Sequence, residues 1–219
     1  MSALTRILLI CVLGLLLAGG GLLAWHFVQP PGTIMSGQSG SSGKALIGGP
    51  FTLTDQTGQR RTEADLKGHY ALVYFGYTYC PDICPTSLSN MTQALDLLAE
   101  KSPEKAAAVL PVFITVDPER DTVEQLAGYA ANFHPRLMAL TGTTEEVAAA
   151  AKAYRIYYQK VEEADASDYL MDHSSVIYLM GPDGGYLSHF THASTPDEIA
   201  AGLAEKVDPA LATAANVGS

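Results

Sequence analysis

Cysteine is scarce in this chain. Three residues in 219 exclude a disulfide-stapled scaffold and leave material for one dithiol. Cations are scarce as well: 13 Lys and Arg stand against 23 Asp and Glu, for a formal net charge of −10. Such a surface repels phosphate backbones, so no nucleic-acid partner is expected. Only 16% of residues are charged while 47% are hydrophobic, a balance that excludes disorder and supports a proper core. No internal repeat is present.

Long apolar runs are limited to one. Ile7 to Trp25 carries no formal charge and would span about 28 Å as a helix, close to the hydrocarbon thickness of a bilayer. Trp25 and His26 close it with amphipathic rings suited to the headgroup region. Arg6 lies on the near side and the first basic residue beyond is Lys44, which favours the N-terminus inside. The run is longer than a signal-peptide core and lacks a clear A-x-A site; no cysteine follows it to take a lipid, and Cys11 within it reads as a small lipid-facing residue. A single transmembrane helix over about 7–27 is predicted within an anchor segment, 1–28. Residues 29–47 are rich in Gly, Ser and Pro and read as a tether reaching roughly 25 Å. The N-terminus does not look like a mitochondrial transit peptide, so the expected location is a bacterial inner membrane with the folded part facing the periplasm.

Residues 48–207 carry the folded domain. Phe51–Thr54 and Gln59–Thr62 flank Asp55–Gly58 as a hairpin. Tyr70–Tyr77 and Val109–Val116 are β-branched and aromatic runs typical of buried strands, and Leu88, Met91, Leu95 and Leu98 mark a helix after the first of them. Capping boxes at Asp121/Glu124, Thr143/Glu146 and Thr195/Glu198 open three later helices. Val176–Met180 and Tyr186–Phe190 read as two strands joined by the turn Gly181–Gly185. Strands alternating with helices predict an α/β domain with a mixed sheet. Residues 208–219 read as a frayed tail.

Cys80 and Cys84 stand where a buried strand meets a helix N-terminus, in Cys80-Pro81-Asp82-Ile83-Cys84-Pro85. Free N–H groups and the helix dipole there favour thiolate, which is both nucleophile and metal ligand. If the loop is helical, the two side chains share one face and can chelate a metal or close a disulfide. His173 precedes the Val176–Met180 strand; in a thioredoxin-like sheet that strand neighbours the cysteine-bearing one. Two thiolates and an imidazole form a soft three-donor set that suits copper, particularly Cu(I). Asp172 is placed to orient the imidazole or to cap the turn, and Met171 to pack. His69, His134, His189 and His192 read as surface residues.

The segments YFGYTYCPDICPTSL (74–88), FITVDPERDT (113–122) and YLMDHSSVIYLMGPDG (169–184) strongly resemble the SCO/SenC family. The resemblance implies a thioredoxin-like fold and copper held by Cys80, Cys84 and His173, with Asp117 of the V-D-P-x-R-D-T segment either near the metal or serving in capping and turn formation. It implies a copper metallochaperone rather than an enzyme, serving the dinuclear copper site of cytochrome c oxidase subunit II; other copper chaperones or thioredoxin-like reductants are further expected partners. The alternatives are a thiol–disulfide oxidoreductase working through a Cys80–Cys84 redox pair, and a redox or copper sensor. A peroxiredoxin-like peroxidase is excluded, since Tyr77 and Pro81 stand where it would need Thr or Ser.

Overall fold

The computed structural model describes residues 47–162 and 169–215. The described residues all belong to one compact unit, 44–219. The predicted membrane anchor and most of the tether lie outside them. Among the described residues no helix is long and apolar enough to cross a membrane.

Among the described residues nine strands form two sheets. The larger contains β1 (Thr52–Asp55), β2 (Arg60–Thr62), β3 (Tyr70–Gly76), β4 (Val109–Thr115), β5 (Met138–Thr141), β8 (Val176–Met180) and β9 (Tyr186–Thr191), in the order β2-β1-β5-β4-β3-β8-β9. β3, β4 and β5 run parallel, while β8 is antiparallel to β3 and β9 to β8. The smaller sheet is an antiparallel hairpin of β6 (Tyr158–Val161) and β7 (Leu170–His173). Helices α1 (Ile83–Lys101), α2 (Pro103–Ala108), α3 (Val123–Ala130), α4 (Thr144–Ala153), α5 (Pro196–Lys206) and α6 (Pro209–Ala215) complete the domain. This is the mixed α/β arrangement predicted, a central sheet flanked by helices with an N-terminal hairpin.

All seven residues of β3 are buried and β4 is nearly so, because a central parallel pair is covered on both faces and therefore tolerates no polar alternation. α1 turns Cys84, Leu88, Met91, Leu95 and Leu98 into the core at spacings of three and four, the stripe an amphipathic helix needs, and packs against α5. The core thus fixes both the end of β3 and the start of α1, between which Cys80 lies.

The structure departs from the sequence reading in three places. α3 is capped by Thr122, whose side chain accepts from the Gln125 N–H, and not by Asp121. The boxes at Thr143/Glu146 and Thr195/Glu198 form as expected. The β6–β7 hairpin was not foreseen, so His173 ends a strand where a loop was expected. Residues 209–215 form α6 where a frayed tail was expected: the Asp208 carboxylate accepts from the Ala210 N–H at 3.0 Å and Pro209 occupies the first helical position, a combination that starts helices well.

Candidate metal centre

The centre is built at the C-terminal end of β3. Cys80 follows that strand and is half-buried; Cys84 is the second residue of α1 and has no exposure. His173 arrives from the far side of the chain at the end of β7. Its Nε2 lies 3.3 Å from Cys84 Sγ. The three predicted donors converge: hydrogen bonds from both Cys84 and the His173 ring act on the Cys80 sulfur. Both thiols are free.

The helix start does what its position promised. The Cys84 N–H donates to Cys80 Sγ at 3.4 Å, and the Asp82 N–H also points there. The Cys84 thiol, followed by the His173 ring and these N–H groups, outweighs burial and draws the Cys80 pKa down to about 3. Cys84 moves the other way: its bond to Cys80, its burial and the Cys80 charge all push its thiol up. The sulfurs therefore behave as one coupled unit that keeps a single proton, on Cys84.

The tautomer of His173 follows from its other nitrogen. Nδ1 is 3.3 Å from the Ser174 carbonyl, which can only accept, so Nδ1 carries a hydrogen and Nε2 is the nitrogen that faces the sulfurs. Cys84 Sγ thus lies within reach of both the Cys80 sulfur and the imidazole ring. Among the described residues no group of three or more His, Cys, Asp or Glu side chains stands ready-spaced for a metal ion.

Asp172 does not orient the ring. Side chains alternate across a strand, so while His173 turns inward Asp172 is exposed, and among the described residues no hydrogen bond joins the two. Met171 packs against the core. Asp117 is buried but acts one step away: it accepts from Arg120 Nε at 2.5 Å and from the Tyr169 hydroxyl at 2.8 Å. Arg120 also donates to the Tyr169 carbonyl and lies 3.6 Å from the centre of the Tyr169 ring and 4.8 Å from that of Tyr79. Asp117 therefore ties the base of the His173 hairpin to the cysteine loop. His189 pairs with the Tyr186 hydroxyl at 2.6 Å and takes no part in the centre.

Three residues missed by the sequence reading shape the site. Gly76 leaves room for sulfur: a Cβ there would lie 2.8 Å from Cys84 Sγ and 3.0 Å from a Phe113 ring carbon. Tyr77 sets its ring edge-on to His173 at 5.9 Å, and the Met171 N–H donates to its hydroxyl. Asp121 is fully buried and accepts from Thr78 N–H at 3.0 Å and from the Thr78 and Thr115 hydroxyls at 2.6 Å each, locking the strand end that leads into Cys80. A Gly-aromatic pair closing a buried strand just before a dithiol was the available signal for the first two.

Comparison with known proteins places this architecture. The SCO1/SenC family profile matches residues 39–208. The human mitochondrial SCO1 homolog is 46% identical over 167 residues, covering 76% of this chain and 55% of that protein; the chain spans about half the length of the first curated relatives it matches. The crystal structure of Arabidopsis thaliana ScoI with copper bound superposes with a TM-score of 0.69 at 46% identity, over 73% of this chain and 96% of that one. BsSco, described as having a disulfide switch and as a member of the Sco family of cytochrome c oxidase assembly proteins, matches with a TM-score of 0.56 at 28% identity, over 73% and 92% of the two chains. A match across the whole folded domain, made by a fold whose dithiol and imidazole meet, establishes that the chain belongs to the SCO1/SenC family.

Proposed function

We propose that Cys80, Cys84 and His173 bind one copper ion as cargo, and that the chain is a membrane-tethered copper metallochaperone delivering it to the dinuclear site of cytochrome c oxidase subunit II. The observation that carries this reading is the convergence of the three side chains at one end of the sheet, with His173 Nε2 3.3 Å from Cys84 Sγ and the Cys84 N–H 3.4 Å from Cys80 Sγ. A soft cation taken up there meets two thiolates and an imidazole, the donor set that suits copper. Structural zinc sites close four ligands, and Asp172, the acid nearest in sequence, faces solvent. The copper-bound Arabidopsis relative and the oxidase-assembly description of BsSco support the same reading. The apolar run at 7–25 supports tethering, with the domain on the periplasmic side of a bacterial inner membrane.

Release follows from how the ligands are mounted. Cys84 is fixed in the core, Cys80 is half-exposed, and His173 stands on a separate two-stranded sheet. Incoming thiolates from the acceptor replace the imidazole first and the sulfurs afterwards, so no step leaves copper bare. The test is transfer: the full chain in detergent, loaded with one copper, is mixed with copper-free subunit II. The expected result is copper in the acceptor faster than from a chelator of equal affinity; equal rates would contradict a delivery role.

A second reading has its own observation. A half-exposed Cys80 thiolate beside a protonated Cys84 is also a dithiol reductant: Cys80 attacks an acceptor disulfide and releases one acceptor thiolate, and Cys84, losing its proton, closes the internal disulfide and frees the second. Two electrons pass to the acceptor. Reduction of an oxidised acceptor by the copper-free protein separates this activity from delivery.

A further inference from the structure

Cys84 Sγ is wholly buried, so when its proton gives way to a metal ion the remaining thiolate needs donors of its own. A buried charge left without them is far costlier than an unpaired neutral group. The backbone N–H at the start of α1 serves Cys80. Gly76 leaves the space beside Cys84 Sγ, whose backbone donor is the Tyr77 N–H.

Two buried hydroxyls near that sulfur lack a well-formed hydrogen bond: neither Tyr74 Oη nor Ser87 Oγ has a partner in good geometry, although each faces the other. Native interiors rarely strand such groups, and each instance asks for a reason. The Tyr74 hydroxyl faces Cys84, Ser87 and Ser175, and its ring is edge-on to His173 with centroids 6.3 Å apart. Ser87 lies one turn beyond Cys84 on α1, on the same buried face. Packing alone would be satisfied by Phe and Ala at these positions. The hydroxyls add something only when a neighbouring atom becomes a strong acceptor.

We propose that the Tyr74 and Ser87 hydroxyls are positioning groups that donate toward Cys84 once its sulfur is a thiolate, lowering the cost of its charge and setting how much electron density it offers the metal. Hydrogen bonds at a ligand sulfur tune the metal it holds. This inference rests on the copper reading above. It separates two properties that usually move together: the hydroxyls weaken the metal-free fold and strengthen the loaded one.

The test compares the full chain with Tyr74→Phe, Ser87→Ala and the double variant. Cu(I) affinity is read by chelator competition, the thiolate-to-Cu(II) charge-transfer band by absorption, metal-free stability by thermal melting, and the dithiol–disulfide balance in glutathione buffers. Losing a hydrogen bond to a charged acceptor weakens Cu(I) binding about tenfold in Tyr74→Phe and moves the band to lower energy, because the sulfur becomes richer in electrons. The metal-free melting temperature stays level or rises, since a stranded hydroxyl has gone. Lowered melting with an unmoved band, or a double variant with wild-type affinity and band, would overturn the inference. Failure of the copper reading shows separately, as wild-type chain that takes up no stoichiometric copper. The glutathione balance is the metal-free control: with Cys84 protonated it should match wild type in every variant, and a several-fold shift would overturn the inference.

Discussion

Cys84 Sγ and His173 Nε2 stand 3.3 Å apart although 89 residues separate them in the chain. The contact exists because β3 and β8 are antiparallel neighbours, with Tyr74 opposite Ile177, so the exit of one and the entry of the other share one end of the sheet. α1 brings the sulfur to that end and the β6–β7 hairpin brings the ring.

The two thiols should react unequally. With its pKa drawn down to about 3, Cys80 is a thiolate throughout the neutral range, whereas an ordinary cysteine gains about tenfold in thiolate per pH unit below its pKa. Iodoacetamide labelling of the metal-free protein, read by mass spectrometry, should modify Cys80 at a rate nearly constant from pH 5 to 8 and spare Cys84. A rate at Cys80 that climbs steadily with pH would contradict the shared-proton arrangement.

Gly76→Ala should damage the centre from inside the core. The new methyl would lie 2.8 Å from Cys84 Sγ, and neither the short cysteine side chain nor the helix behind it yields easily. Overpacking of this kind costs about 1–3 kcal/mol. Chemical denaturation should show that loss together with copper affinity weakened at least tenfold; intact affinity would mean the sulfur seat is looser than its contacts imply.

His173→Ala should separate the two candidate activities. It removes the nitrogen ligand but neither sulfur, so Cu(II) affinity and copper delivery should fall while disulfide formation between Cys80 and Cys84 persists. Measuring both on one preparation decides it, and undiminished delivery would rule out the ligand-exchange scheme.

Acid stability should report on the N-terminal hairpin. Burial raises the Asp55 pKa, but hydrogen bonds from the Thr57 hydroxyl, Arg61 and the Gln59 and Thr57 N–H groups outweigh it and bring the value to about 2. The folded pKa lies below the unfolded value of 3.8, so the stabilisation is complete above about pH 4 and disappears as pH falls through 2. Its size is about 2 kcal/mol. Urea unfolding should show Asp55→Asn less stable than wild type at pH 6, with a much smaller gap at pH 2.5; a gap independent of pH would remove the carboxylate from the account.

The donors were legible in the sequence because their types and positions are local facts: two cysteines at a strand-to-helix junction, and a histidine just before a strand. The buried strands were legible for the same reason, since Tyr70–Gly76 and Val109–Thr115 have no charged residue and no alternation of the kind a solvated face would require. What escaped was tertiary. Asp121 sits where a helix cap belongs, yet Thr122 takes that role and Asp121 turns inward to bind Thr78 and Thr115. Asp172 neighbours His173 in sequence, but strand alternation sends the two to opposite sides. The β6–β7 pairing joins Tyr158–Val161 to Leu170–His173, and the exposed Gln159 and Lys160 gave it no hydrophobic signature.

X-ray absorption at the copper edge addresses the core of this account most directly. The full chain loaded with one equivalent should show two sulfur neighbours and one nitrogen neighbour per copper, the nitrogen lost in His173→Ala and the stoichiometric copper lost in the Cys80→Ser, Cys84→Ser double variant. A copper that keeps its occupancy and spectrum in that double variant would contradict the assignment.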